Sequence, residues 1–318
     1  MRLHVLINGA AGSVVDADQT VADIEAAFAS VGGESDVDSV EVTVDVVHPA
    51  DLADLVTRVW ERDRPDAVVI AGGDGTVNAA VAAAVDSEAV LSVLPLGTFN
   101  HFAGDLGIPN ELTAAAQAIA TGSVRTIDVG EVNGRVFVNN SVLGAYPMMV
   151  DARERIQDGR GWSKFRALPV AVLHVARNLP VHRFDLTGSG GYTRMKVRTP
   201  FIFVGNGLFD NEPGTAMART SMDDGVLGVS VARVVSRWGM VRAAVGTLVK
   251  GAAQARDLDH VQVAELTVRS SRKSGRVAFD GEVEKMAFPL HYRCRPGALK
   301  VLAPAVEGET VDGESLDG

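Results

Sequence analysis

Seven consecutive residues, Gly72-Gly73-Asp74-Gly75-Thr76-Val77-Asn78, carry the densest chemistry in the chain. They follow the apolar run Asp66 to Ile70 and lead into an alanine-rich stretch, Asn78 to Val85. A strand, a glycine turn and a helix N-terminus together make an anion site. Glycines let the backbone approach closely, free amides point outward, and the helix dipole favours negative charge. Asp74 repels phosphate in such a cradle unless a divalent cation sits beside it or hydrogen bonds hold it away. A nucleotide phosphate with its cation satisfies these demands. An ordinary strand-to-helix turn can have the same spelling, so the loop alone decides nothing.

Two further small-residue turns follow apolar runs. Leu3–Ile7 ends in Asn8-Gly9-Ala10-Ala11-Gly12-Ser13, and Val90–Leu94 ends in Pro95-Leu96-Gly97-Thr98-Phe99-Asn100. Between them the hydrophobic period predicts a helix from Thr20 to about Val31. Thr20 is its expected cap, Asp23 the box partner and Gly32-Gly33 the stop. A β-branched strand follows at Val40–Val47, then a helix over Ala50–Asp63 with Leu52, Leu55, Val56 and Val59 on one face. Glu111–Thr121 reads as another helix. This alternation predicts a parallel, doubly wound α/β nucleotide-binding domain over residues 1–123. Ligands of such sheets bind beyond the carboxyl ends of the strands, so the three turns should line one edge.

Beyond Val124 short strands take over, beginning with a type I′ hairpin at Asn133-Gly134. Strands are expected at 183–187, 193–197, 200–204, 225–233, 262–269, 277–280, 288–292 and 299–302, with helices at about 163–178 and 237–255. Residues 124–304 therefore read as an antiparallel, β-sandwich-like domain. The acidic tail, 305–318, has too few apolar residues to order itself.

Composition excludes several classes. The 318 residues carry a net charge of −10 and no dense Lys/Arg block, which argues against a nucleic-acid partner. Cys294 is the only cysteine, so no internal disulfide or cysteine zinc cluster forms, as expected in a reducing cytosol. No run of 18 apolar residues occurs, and the opening apolar stretch, broken by His4 and Asn8, is too short for a signal peptide. The expectation is a cytoplasmic protein whose membrane contact is peripheral.

Gly72 to Asn78 followed by Pro95 to Asn100 resembles the diacylglycerol kinase catalytic domain family, the bacterial lipid kinases related to sphingosine kinases and, more distantly, NAD kinases. The likeness continues through Thr126-Ile127-Asp128-Val129-Gly130, Asp224-Gly225-Val226-Leu227, Phe279-Asp280-Gly281-Glu282 and Pro296 to Leu299, covering roughly residues 1–304. It implies transfer of the ATP γ-phosphoryl group to a lipid hydroxyl, with diacylglycerol as the default acceptor, at a site between two domains. Phosphoryl transfer asks mainly for positioning and charge neutralisation, which suits such loops. By resemblance, Asn8, Gly9, Ala10, Ala11, Gly12, Gly72, Gly73, Asp74, Gly75, Thr76, Asn78, Thr98 and Asn100 bind the nucleotide. Asp74 and Asp128 belong to a magnesium-associated carboxylate network, and Glu282, with Asp280 beside it, is the general base. Ser221, Asp224 and the Val226 carbonyl hold a second, structural Mg2+, with Asp223 as an alternative ligand. A homodimer is also implied. The residues themselves leave Asp280-Gly281 open as a plain turn, Asp128 as a solvated strand position, and the Asp223-Asp224-Gly225 stretch as a plain hairpin.

The chain departs from the family pattern at Gly9, where proline is usual, and at His101, where aspartate is usual. His101 puts the geometry of the Asp74 network and the acceptor lipid in question. Val47-His48 stands where the family has a threonine nucleotide contact. The basic segment from Arg153 to Arg166 reads as a lipid-headgroup contact or a solvated helix face, and Met148, Met149, Met217 and Met222 as core or acyl lining. Two other readings share the loop: an NAD kinase, and a catalytically silent nucleotide-binding regulatory module.

Overall fold

The computed structural model describes residues 1–11, 14, 16–31, 39–144, 181–189, 194–209, 219–232 and 258–305. Gly12, Ser13, the expected helices at 163–178 and 237–255, the basic segment 153–166, Met148, Met149, Met217 and nearly all of the expected tail lie outside those residues.

In chain order the first elements are β1 (Arg2–Asn8), α1 (Ala17–Val31), β2 (Glu41–Val47), α2 (Leu52–Asp63), β3 (Ala67–Gly72), α3 (Asp74–Ser87), β4 (Val90–Pro95), α4 (His101–Asp105), α5 (Leu112–Ala120) and β5 (Ser123–Val132). Strands follow: β6 (Arg135–Phe137), β7 (Asn140–Gly144), β8 (His182–Gly188), β9 (Met195–Thr199), β10 (Phe201–Asn206), β11 (Leu208–Phe209), β12 (Arg219–Ser221), β13 (Leu227–Ala232), β14 (Leu258–Val263), β15 (Glu265–Ser270), β16 (Ser274–Phe279), β17 (Glu282–Ala287) and β18 (Leu290–Ala303).

The chain divides into two units, Met1–Thr126 with the stretch from Leu299 onward, and Ile127–Ala298. The second crossing is not legible in the sequence, which assigns 299–304 wholly to the later domain. The last residues of β18 instead run parallel to β4, pairing Lys300 with Val90 and Val301 with Leu91. The Ser92 hydroxyl, fully buried, donates to the Leu302 carbonyl at 2.7 Å.

In the first unit the parallel sheet has the order β2-β1-β3-β4. Every residue of β3 and β4 is buried, as expected of strands covered on both faces, and this explains their unbroken apolar spelling. From β1 the chain moves to one side for β2 and to the other for β3, so the strand order reverses between β1 and β3. That reversal opens the crevice beyond their carboxyl ends in which such sheets take ligands. The first helix starts earlier than expected. Asp16 accepts from the Gln19 amide through its carboxylate, and Thr20, the expected cap, lies inside α1 with its hydroxyl on the Asp16 carbonyl.

The second unit contains a six-stranded antiparallel sheet, β14-β13-β10-β7-β16-β17, and a further antiparallel run in which β15 pairs with the first part of β18 and with β8, and β8 with β9. Leu143, Val204, Val229, Val277 and Phe279 share one apolar core with Phe184, Leu186, Leu266, Val268 and Tyr292, the sandwich-like arrangement expected. The Asn133-Gly134 turn has φ of 48° and 85°, as a type I′ hairpin requires. The expected strand 262–269 is two strands, interrupted at Ala264, whose carbonyl accepts the Cys294 amide at 2.8 Å. Strand β17 escapes the sequence because Glu282, Glu284 and Lys285 lie exposed on an edge and leave little apolar alternation.

Candidate functional site

The first unit brings the three expected turns into one assembly. Asn8, at the end of β1, turns its side chain both ways: its carbonyl oxygen accepts the Ala10 amide at 2.9 Å and its Nδ2 donates to Thr76 Oγ1 at 2.7 Å. The Ala11 amide closes the same turn on the Asn8 carbonyl, and the Gly9 amide reaches the Val47 carbonyl at 3.0 Å. Gly72 is required because a Cβ there would lie 2.8 Å from the Thr76 side chain. The third turn packs glycine against glycine. A Cβ on Gly97 would lie 2.5 Å from Gly73 Cα and 2.6 Å from Asn100 Oδ1. Asn100, at φ 52°, holds that turn from within, accepting the Gly97 amide at 2.8 Å and donating to the Gly97 carbonyl at 3.0 Å. Thr98 stands exposed at the tip.

At the centre of this assembly α3 begins without a side-chain cap, since Gly73 occupies the N-cap position and Asp74 and Gly75 follow as the first helical residues. The Thr76 amide donates to the Gly73 carbonyl at 2.9 Å, so among the described residues the Asp74 and Gly75 amides are the ones left to an anion, with the dipole behind them. Asp74 is half-buried and, among the described residues, accepts only a long bond, 3.5 Å, from the Phe102 amide. One turn further along α3, Asn78 is buried and its Oδ1 has no hydrogen-bond partner. A buried acceptor without a donor is costly. Two under-used oxygens at i and i+4 on one helix suit a hard cation or its water shell, while the glycine contacts leave the uncapped helix start bare of side chains. The residues present thus fit a nucleotide phosphate accompanied by a cation. His101 does not take part: its exposed ring stacks on Phe99, 5.7 Å between centroids and 6° from parallel. The contact to Asp74 in that region comes from the Phe102 backbone.

In the second unit Asp128 is buried, not solvated. Its Oδ1 accepts the Gly297 amide at 2.8 Å and its Oδ2 the Gly225 amide at 2.6 Å, while its own amide donates to the Met222 carbonyl at 2.7 Å. Asp128 therefore clasps three chain segments. The Cys294 thiol, 3.7 Å from the same carboxylate, is pushed up to about 12 by burial first and by the Asp128 charge second. Asn206 was not singled out by the sequence; fully buried, it donates to the Asp128 and Val138 carbonyls and so extends the clasp.

The expected oxygens of the second cation site are partly engaged. Ser221 donates to Asp223 at 2.6 Å, and the Val226 carbonyl accepts the Gly207 amide at 3.1 Å. Asp224 is exposed and has no partner among the described residues. No three His, Cys, Asp or Glu side chains among the described residues are grouped to hold a metal ion.

Asp280 and Gly281 form the two-residue turn between β16 and β17, with φ of 46° and 89°. The Asp280 carboxylate accepts the amides of Val138, Asn139 and Asn140 at 2.7, 2.8 and 3.0 Å, pinning the turn to the chain before β7. Burial pushes this carboxyl up to about 6, outweighing the opposing pull of those amides and the more distant Arg219 charge. Glu282, the first residue of β17 and paired with Phe279, is exposed, and its carboxylate has no hydrogen bond among the described residues. Of the two neighbouring acids, one is committed to the backbone and the other is free to act on a proton. Asn139 and Asn140 are further residues of this site that carried no recognisable sequence signal, because their part is played by main-chain amides.

Residues 2–132 match the diacylglycerol kinase catalytic domain, and residues 151–303 match the YegS C-terminal NAD kinase beta sandwich-like domain. A Pseudomonas aeruginosa protein named "Probable lipid kinase YegS-like" is 31% identical over 249 residues, which is 75% of this chain and 76% of that relative. A protein named diacylglycerol kinase from Bacillus subtilis (strain 168) is 47% identical over 77 residues, 23% of this chain and 25% of its own length. The solved structure of a diacylglycerol kinase from Bacillus anthracis str. Sterne shares the fold, with a TM-score of 0.66 and 17% identity over 95% of this chain and 96% of that one.

Proposed function

Because the chain belongs to the diacylglycerol kinase catalytic domain family, whose members include YegS-like lipid kinases, we propose that it transfers the γ-phosphoryl group of ATP, with Mg2+, to the hydroxyl of diacylglycerol, forming phosphatidic acid. One observation carries the reading: the uncapped start of α3, bared by the Gly73–Gly97 approach and flanked by the open oxygens of Asp74 and Asn78. The Asp74 and Gly75 amides at the start of α3 bind phosphate oxygens, and the Asn8–Thr76 bond fixes the loop from β1 against the start of α3. Asp74, with Asn78 beside it, would hold Mg2+, which would supply neutralisation of the phosphate charge. Glu282 accepts the proton of the lipid hydroxyl, and Asp280 orients it by holding the turn on which it stands. Asp128, committed to two amides, acts as a clasp that fixes the Gly225 loop. No helix among the described residues is long and apolar enough to cross a membrane. The enzyme meets its lipid from the membrane surface.

The test is a labelled-ATP transfer assay on the purified chain with diacylglycerol, monoacylglycerol, sphingosine or phosphatidylglycerol in mixed micelles, and with NAD as a water-soluble acceptor. Label in diacylglycerol supports the proposal. Label in another lipid keeps the chemistry and replaces the acceptor. Label in NAD alone, or ATP bound with no acceptor labelled, overturns it.

A further inference from the structure

The outward face of the antiparallel strands β15, β8 and β9 concentrates cations in a chain whose net charge is −10. Along these strands Phe184, Leu186, Leu266 and Val268 point into the core, whereas Arg183, Lys196, Arg198 and Arg269 alternate with apolar positions and are exposed. The register sets Arg183 directly opposite Arg198, and Asp185 opposite both Lys196 and Arg269. Asp185 and, at the start of β15, Glu265 are the acids on this face, and Arg194 already binds the Asp185 carboxylate. None of Arg183, Lys196, Arg198 and Arg269 is in an ion pair among the described residues.

One titrating group senses this field. Asp185 is held below the usual carboxylate range by the Arg194 hydrogen bond first, with Lys196 and Arg269 contributing. Like charges directly opposite on paired strands cost stability, and neither Arg183 nor Arg198 has an ion-pair partner among the described residues. An anionic plane laid against the face would remove that cost. Adjacent strands stand about 4.8 Å apart, so the cations from β9 to β15 span about 10 Å, close to one Debye length at physiological salt, and act together.

We propose that this face of the second unit docks the protein on an anionic bilayer. The proposal rests on the lipid-kinase reading, which places the acceptor in a membrane and so favours a lipid surface over other polyanions. Each cation brought to such a surface contributes about 1 kcal/mol, or roughly fivefold in partitioning. Three together therefore contribute about a hundredfold.

The experiment sediments the full chain with vesicles of phosphatidylcholine alone or mixed with phosphatidylglycerol, at rising salt. The variants are the combined Arg183→Gln, Lys196→Gln, Arg198→Gln protein and, as control, Arg58→Gln on the exposed surface of α2. Wild type should bind the phosphatidylglycerol vesicles, weaken as salt rises, and ignore phosphatidylcholine. The triple variant, with an unchanged melting temperature, should bind about a hundredfold less, and Arg58→Gln should match wild type. Equal binding of triple variant and wild type, or equal loss in Arg58→Gln, overturns the proposal. So does a short DNA duplex bound as tightly as the vesicles. Wild type that sediments with neither vesicle yet phosphorylates lipid in neutral micelles also overturns the docking face, and leaves the kinase reading intact. Vesicle binding that the triple variant loses, from a protein that phosphorylates no lipid, supports the face and overturns the kinase reading.

Discussion

Gly97→Ala isolates what the closest approach in the first unit contributes. The new methyl would stand 2.5 Å from Gly73 Cα and 2.6 Å from Asn100 Oδ1, where carbon contacts normally begin near 3.5 Å. One turn must retreat by about 1 Å, either lengthening the 2.8 Å bond between the Gly97 amide and Asn100 or pushing Gly73 off the start of α3. Overpacking of this kind costs about 1–3 kcal/mol. For a protein of this size each kcal/mol lowers the melting temperature by roughly 2–4 °C. A misplacement of about 1 Å in a positioning loop costs on the order of a hundredfold in rate. Calorimetry and kcat/KM for ATP read the two effects on one preparation. Gly75→Ala supplies the contrast, because a Cβ there meets nothing within 4 Å and the position is helical. Alanine should stabilise the helix by about 0.5–1 kcal/mol while its methyl, on the open side, raises the KM for ATP. Wild-type melting and kcat/KM in Gly97→Ala would refute the reasoning, as would destabilisation by Gly75→Ala.

Other substitutions test the remaining roles. Glu282→Gln should lower transfer by about 10²–10⁴-fold while leaving ATP affinity unchanged, measured by single-turnover transfer and nucleotide titration. Asp128→Asn keeps one acceptor and turns its amide donor towards the other backbone N–H, so it should cost about 1–3 kcal/mol and show in the melting temperature. A variant that melts like wild type and loses only its magnesium response would instead favour the carboxylate network. Asp280 should titrate near pH 6 by carboxyl NMR. The folded carboxyl keeps its proton to higher pH than the unfolded one, so its contribution to stability is fully present below pH 3.8 and is lost as pH rises to about 6. At about 1.4 kcal/mol per unit the loss is roughly 3 kcal/mol, and an Asp280 midpoint below pH 4 would contradict it.

The legible parts of the site are those whose chemistry is local. Gly72 to Asn78 had to be a strand–turn–helix because apolar β-branched residues precede the glycines and alanines follow, and neither needs a distant partner. The side chain of Asn8, by contrast, binds Thr76, 68 residues away, and no spacing rule reports that bond. Asp280 and Glu282 look alike in sequence, two acids around a glycine. Only the three amides converging on Asp280 separate a structural carboxylate from an available one. Asp128 likewise has two expected readings, network ligand or solvated strand residue, and its position in the fold is a buried clasp.

The sequence by itself determined the order of the layers, α/β first and antiparallel β second. Hydrophobic period and turn chemistry act within a few residues and survive without knowledge of the rest of the chain. It also determined where the phosphate loops lie, because glycine's tolerance for close approach is written in residue type. Only the tertiary structure decided that the chain after Leu299 returns to the first unit, that Gly97 rests on Gly73, and that Arg183 faces Arg198 across two strands. Those facts depend on pairing between segments far apart in the chain. Their register is set by the fit of whole faces, and a linear pattern does not contain it.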